Sequence, residues 1–240
     1  MSSSVLTPAA SGSRPAWCGR RIPGRLYLTE PDYWKFQAKA ERPHEWKCGL
    51  GLFDESGAEL GEVRPVSGYD DDGNPAMPTF EHNELLDTLL DLVRPFLGEP
   101  RRYGKLSQGM AVRVARSRGG RLRYPDVLLY PVPPRFEPHP RGMRLVLENP
   151  TVLVEILSDS TADEDLTAKL GDYASIPSVT DYLIVAQDEP AILHYTRPAG
   201  SAPEDGWHVT RHAGLEESVT LTEPAATLTL AEIYARVLSA

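Results

Sequence analysis

The chain has 240 residues, a length that suits one medium domain and is ample for a core. Hydrophobic residues make up 41% and charged residues 25%, which excludes a disordered chain, and no apolar run reaches the roughly 20 residues of a membrane helix. Two cysteines exclude a disulfide framework, and a net charge of −9 argues against a general nucleic-acid coat protein.

Met1 to Pro15 is rich in Ser, Ala and Pro and lacks an apolar h-region, so it does not read as a secretory signal. A reducing cytoplasm is the simplest setting for Cys18 and Cys48. Residues 1–22 read as a flexible tail, and residues 23–240 as a single domain. Pro31 to Phe36 can open a short helix. Glu45 to Phe53 alternates like a strand, Asp54-Glu55-Ser56-Gly57 is a turn signal, and Ala58 to Val66 returns as a second strand. Tyr69 to Pro78 is a loop rich in Asp, Gly and Pro.

Thr79 then precedes a helix in which Leu85, Leu86, Leu89, Leu90, Val93, Phe96 and Leu97 recur at helical spacing. Thr79 can cap it, Glu81 sits in its first turn, and Pro95 bends or ends it. Met110 to Ala115 alternates, and Asp126 to Tyr130 is a short apolar run after Pro125. Residues 131–150 form a loop with six prolines. Thr151 to Leu157 is apolar on both faces and reads as a central, doubly covered strand. A second helix follows, capped by Ser160 or Thr161, with Leu166, Leu170 and Tyr173 as its apolar stripe. Asp181 to Ala186 is a further apolar strand, which Asp188-Glu189-Pro190 turns into Ile192 to Tyr195. Trp207 to Thr210 can extend the sheet, and Leu230 to Leu238 reads as a C-terminal helix. This order implies an α/β fold: a mixed β-sheet core flanked by helices.

Three charges break the apolar pattern where breaking it is costly. Glu155 lies inside the central strand, where an unpaired carboxylate needs a partner, a metal or a raised pKa. Asp126 opens the preceding strand, and pairing of the two strands would bring both carboxylates to one end of the sheet. Carboxylates so placed are hard-oxygen ligands for Mg²⁺. Lys169 falls on the buried stripe of the second helix, so it must snorkel or face an anion. The plainer alternative is a Glu155–Lys169 ion pair that serves the fold only. Arg101, Arg102, Lys105, Arg113, Arg116, Arg118, Arg121 and Arg123 share a stretch without Asp or Glu, which can face a polyanion or simply be solvated.

These residues carry a resemblance. Pro125-Asp126-Val127, Val154-Glu155-Ile156-Leu157-Ser158, Lys169-Leu170 with Tyr173, and Asp181-Tyr182-Leu183-Ile184-Val185 are similar in order and spacing to the Uma-two family of proposed restriction endonucleases, within the PD-(D/E)xK nuclease superfamily. Thr227 to Tyr234 and Glu81-His82-Asn83 match as well. The resemblance implies a restriction-endonuclease-like core that hydrolyses DNA phosphodiester bonds with Mg²⁺ or Mn²⁺. It implies Asp126, Glu155 and the backbone carbonyl of Ile156 as metal ligands. Lys169 would orient the attacking water or stabilise charge on the phosphate. Glu81 would be an outer ligand or a helix-dipole carboxylate. Beside it, His82 can touch substrate or serve a capping or packing role, and Arg113, Arg116 and Arg118 of the basic stretch are the candidates to contact substrate. A homodimer would suit cutting two strands. The superfamily's usual lysine position, two residues after the Glu, is Leu157 here, and Cys48 to Glu62 reads as a hairpin insertion. A second reading follows from that departure and from the acidic balance: a nuclease fold that no longer cuts and acts as a binding or assembly module.

Overall fold

Val152, Val154 and Ile156 are β-branched and alternate with Leu153, Glu155 and Leu157, and the strand they form is buried on both faces. Around it a computed structural model describes residues 20–22, 25–39, 44–47, 56–65, 78–107, 109–114, 121–157, 164–202 and 205–238. The first part of the chain gives β1 (Arg20–Ile22), β2 (Arg25–Leu28), α1 (Glu30–Gln37), β3 (His44–Lys47), β4 (Gly61–Pro65) and α2 (Phe80–Val93). A 3-10 turn, Arg94–Leu97, precedes β5 (Tyr103–Ser107), β6 (Ala111–Val114), β7 (Arg121–Arg123), β8 (Val127–Pro131), β9 (Val146–Leu147) and β10 (Val152–Leu157). The rest is α3 (Glu164–Ala174), β11 (Asp181–Ala186), β12 (Ala191–Thr196), β13 (His208–Ala213), β14 (Ser218–Leu221), β15 (Ala226–Thr229) and α4 (Leu230–Ile233).

The strands form a seven-stranded sheet in the order β1-β2-β4-β3-β7-β6-β9, a six-stranded sheet in the order β13-β12-β11-β10-β8-β5, and the β14–β15 hairpin. The second sheet is mixed. β10 runs parallel to β11, as expected of strands joined through a helix, and antiparallel to β8. The mixed α/β class expected from the element order is the one observed.

Alternation along β8 and β10 separates two cores. Val127, Leu129, Val152, Val154 and Ile156 face α2, α4 and the hairpin. Leu128 and Leu153 face the other way, against Tyr173 and Ile176 of the α3 region and Val112 and Val114 of β6. On α2 the leucine stripe lands on the first core, with Leu85, Leu89 and Val93 buried. Each such side chain contributes on the order of 1.5–3 kcal/mol by leaving water. A third core joins α1 to the seven-stranded sheet through Tyr33, Trp46 and Leu122. Gly61 is needed there: a Cβ on it would lie 2.2 Å from Nε1 of Trp46.

Several elements differ from the sequence reading. The last three residues of the expected tail pair with β2 as β1. The 131–150 loop contains β9, two residues that pair in parallel with β6. Neither β5 nor the β14–β15 hairpin shows as a strand in the sequence pattern, yet β5 closes one edge of the six-stranded sheet. The C-terminal helix stops at Ile233. Tyr234 leaves helical geometry, with φ −93° and ψ 3°, and sends its hydroxyl inward to the carbonyls of Ala186 and Ala191. The expected tail residues 1–19, the hairpin segment 48–55, the loop 66–77 and the caps Ser160 and Thr161 lie outside the described residues.

Candidate active site

The register pairs Val154 of β10 with Val127 of β8, so the next pair outward is Glu155 beside Asp126. Residues directly opposite in antiparallel strands share a face. Both carboxylates therefore sit at one end of the sheet, as the sequence pattern anticipates. Asp126 is tied to that end by its own backbone neighbour across the strand: the N–H of Ile156 donates to Asp126 Oδ2 at 2.8 Å. His82, in the first turn of α2, brings Nε2 to 3.5 Å from Asp126 Oδ1.

Glu155 is only 4% exposed. Lys169, itself 6% exposed, donates to Glu155 Oε2 at 3.2 Å. Tyr173, one turn later on α3, donates its hydroxyl to Oε1 at 2.6 Å. One face of α3 thus grips both oxygens of one carboxylate. Burial pushes the Glu155 carboxyl up to about 6; the Lys169 charge opposes this, the Asp126 charge adds to it, and the Tyr173 hydrogen bond opposes it. Burial, then the Glu155 charge, holds the Tyr173 hydroxyl well above its ordinary range, so it stays a neutral donor.

Two carboxylates on adjacent strands, with the Asp126 charge acting on Glu155, are a donor set of the kind a hard divalent cation takes. Each ionised carboxylate offers about four lone-pair sites, so the hydrogen bonds already made leave acceptor capacity on both residues. The residues present fit Mg²⁺ or Mn²⁺ chemically. Among the described residues no group of three or more His, Cys, Asp or Glu is arranged to hold a metal.

The other residues singled out in the sequence are placed differently. Glu81 is exposed in the first turn of α2, and the contact to Asp126 from that turn is made by His82. Arg113 spans two carboxylates, Glu30 at 2.5 Å and Glu137 at 2.8 Å. Arg121 and Arg123 both close on Asp172 of α3 at 2.8 Å. Arg113, Arg121 and Arg123 of the basic stretch are therefore paired with acids distant in sequence. Arg116 and Arg118 lie outside the described residues. Sequence reasoning missed the part of Tyr173, whose place on an apolar stripe is satisfied by packing alone.

Residues 70–231 match the family model Uma2, described as "Putative restriction endonuclease". The chain belongs to the Uma2 family. Asp126, Glu155, Lys169 and Tyr173 all fall inside the matched span. An uncharacterized protein of Synechocystis sp. (strain ATCC 27184 / PCC 6803 / Kazusa) is 28% identical over 137 residues, 57% of this chain and 69% of that protein. The fold is similar to the crystal structure of a "putative nuclease belonging to DUF820" from Anabaena variabilis ATCC 29413, with a TM-score of 0.60, 13% identity, and coverage of 87% of this chain and 98% of that one. At that identity the likeness shows the Uma2 chain's fold alone. Among the described residues of this Uma2 member no helix is long and apolar enough to cross a membrane.

Proposed function

We propose that the protein is a divalent-metal-dependent endonuclease of the PD-(D/E)xK type that hydrolyses phosphodiester bonds in DNA. The observation that carries this is the placement of Asp126 beside Glu155 at one end of the sheet, with Lys169 on the same carboxylate. Asp126, Glu155 and the carbonyl of Ile156 hold Mg²⁺ or Mn²⁺. When bound, the cation polarises a phosphoryl oxygen and lowers the pKa of a water. The Ile156 N–H fixes Asp126, so that carboxylate needs no reorganisation to bind. Tyr173 and Lys169 fix Glu155 in the same way. Lys169, in contact with Glu155, is placed to orient the attacking water or to stabilise charge gathering on the phosphate. His82, against Asp126, is at the right end of the sheet to meet the phosphate backbone.

Residues 23–240 act as one nuclease unit, two copies serve the two strands of a duplex, and the cytoplasm is the compartment. The test is cleavage of supercoiled plasmid and of single-stranded DNA with Mg²⁺, Mn²⁺ or EDTA, beside Asp126→Ala and Lys169→Ala. Nicking that needs metal and is lost in both variants is the expected result. No cleavage with any metal, and no metal binding, would leave a nuclease fold that serves as a binding module.

A further inference from the structure

The first turn of α2 is not held by apolar packing. Phe80 is 60% exposed, and Glu81 and Asn83 are exposed as well; the buried stripe begins only at Leu85. Yet this turn places His82 against Asp126. What ties it to the sheet is a run of hydrogen bonds through Gln187, which follows the C-terminal end of β11, completed by the 3.5 Å contact of His82 with Asp126. The Gln187 side-chain N–H donates to the backbone carbonyl of Leu157, at the end of β10. The Thr79 hydroxyl donates to Gln187 Oε1 at 2.5 Å, and the same hydroxyl oxygen accepts the N–H of His82 at 3.1 Å. His82 meets Asp126, and Asp126 accepts the N–H of Ile156, beside Leu157. The circuit leaves β10 and returns to it, with the glutamine amide nitrogen donating and its oxygen accepting.

We propose that Gln187 is a positioning residue of the site: it anchors the N-cap of α2 to the end of β10 and so holds the His82 imidazole against Asp126. This rests on the nuclease reading only for its effect on cleavage. An acceptor alone does not suffice, because the amide must also donate to Leu157. Gln187→Glu would set an oxygen against that carbonyl and should behave like Gln187→Ala. Thr79→Ser keeps the hydroxyl and should behave like wild type.

The direct test is the His82 ring resonances in proton–nitrogen correlation spectra, assigned by comparison with His82→Ala. In Gln187→Ala and Gln187→Glu they are expected to move and broaden, while in Thr79→Ser they stay. In cleavage, Gln187→Ala should lower kcat/KM ~10-fold or more, as for a misplaced contact to the phosphate. Added to His82→Ala it should lower kcat/KM no further. Unchanged His82 resonances in Gln187→Ala, or an additive loss in the double variant, would overturn the proposal. If wild type fails to cut DNA, the nuclease reading falls, and the ring resonances still decide the role of Gln187.

Discussion

The hydroxyl of Tyr173 lies 2.6 Å from Glu155 Oε1, and this buried bond favours the ionised form of the carboxylate. It holds the Glu155 carboxyl lower than burial alone would set it. Tyr173→Phe removes the hydroxyl and keeps the packing. The pH at which Glu155 ionises should rise above its present value of about 6, and Mn²⁺ binding and cleavage should need a more alkaline solution. A pH series of Mn²⁺ titrations and initial rates on both proteins checks this. A limb that does not move would show that the hydroxyl has no hold on Glu155.

Glu155 also makes stability depend on pH. Its carboxyl is raised in the fold from 4.5 to about 6, so the folded protein binds the proton more tightly than the unfolded chain. The stabilisation is therefore fully present below pH 4.5 and is lost as pH rises to about 6, a difference of about 2 kcal/mol. Urea unfolding of metal-free protein at pH 5 and pH 7 reads the part of it that remains above pH 5, about 1 kcal/mol. In Glu155→Gln this component of the pH dependence should vanish.

The Lys169–Glu155 pair should be worth less to stability than either partner's removal suggests. Glu155→Leu strands a buried ammonium and should cost roughly 3–5 kcal/mol at pH 7. Adding Lys169→Met should recover most of that loss, since a buried pair is often replaceable by apolar side chains of similar volume. Thermal unfolding of the two variants compares them, and equal loss in both would contradict the pairing. The double variant should not cut DNA at any pH.

Arg113 and Asp172 test what the basic stretch does. Arg113 holds Glu30 and Glu137, and Asp172 holds Arg121 and Arg123. Asp172→Ala should destabilise by roughly 1–3 kcal/mol, because Arg123 is 6% exposed and loses its carboxylate. Arg113→Met should likewise lower the melting temperature while leaving the salt dependence of DNA binding nearly unchanged. A salt slope that falls by about 1 would instead place Arg113 on a phosphate.

The site was legible in the sequence where a residue violated its surroundings. Glu155 interrupts an apolar strand, and Lys169 interrupts an apolar stripe; both are buried, and each is the other's partner. Tyr173 violates nothing, because a tyrosine suits a buried helical stripe whether or not its hydroxyl acts, so only coordinates reveal the bond. In the arginine stretch the lack of acids is a local fact, and the acids that pair with Arg113, Arg121 and Arg123 come from α1, the 131–150 loop and α3. The helix α2 followed from its periodicity of about 3.6 residues, and β10 and β11 from unbroken apolar runs of strand length. β9 has two residues and β7 three, too few to show any period, and they are strands because their neighbours in the sheet require them. The early end of α4 depends on where the Tyr234 hydroxyl finds its carbonyls.

The most direct measurement is a calorimetric titration of Mn²⁺ into wild type, Asp126→Ala and Glu155→Gln at pH 7.5. One saturable site in wild type, lost in both variants, is the result expected if the two carboxylates share one cation. Binding that survives in either variant, or none in wild type, would contradict a metal site built on Asp126 and Glu155.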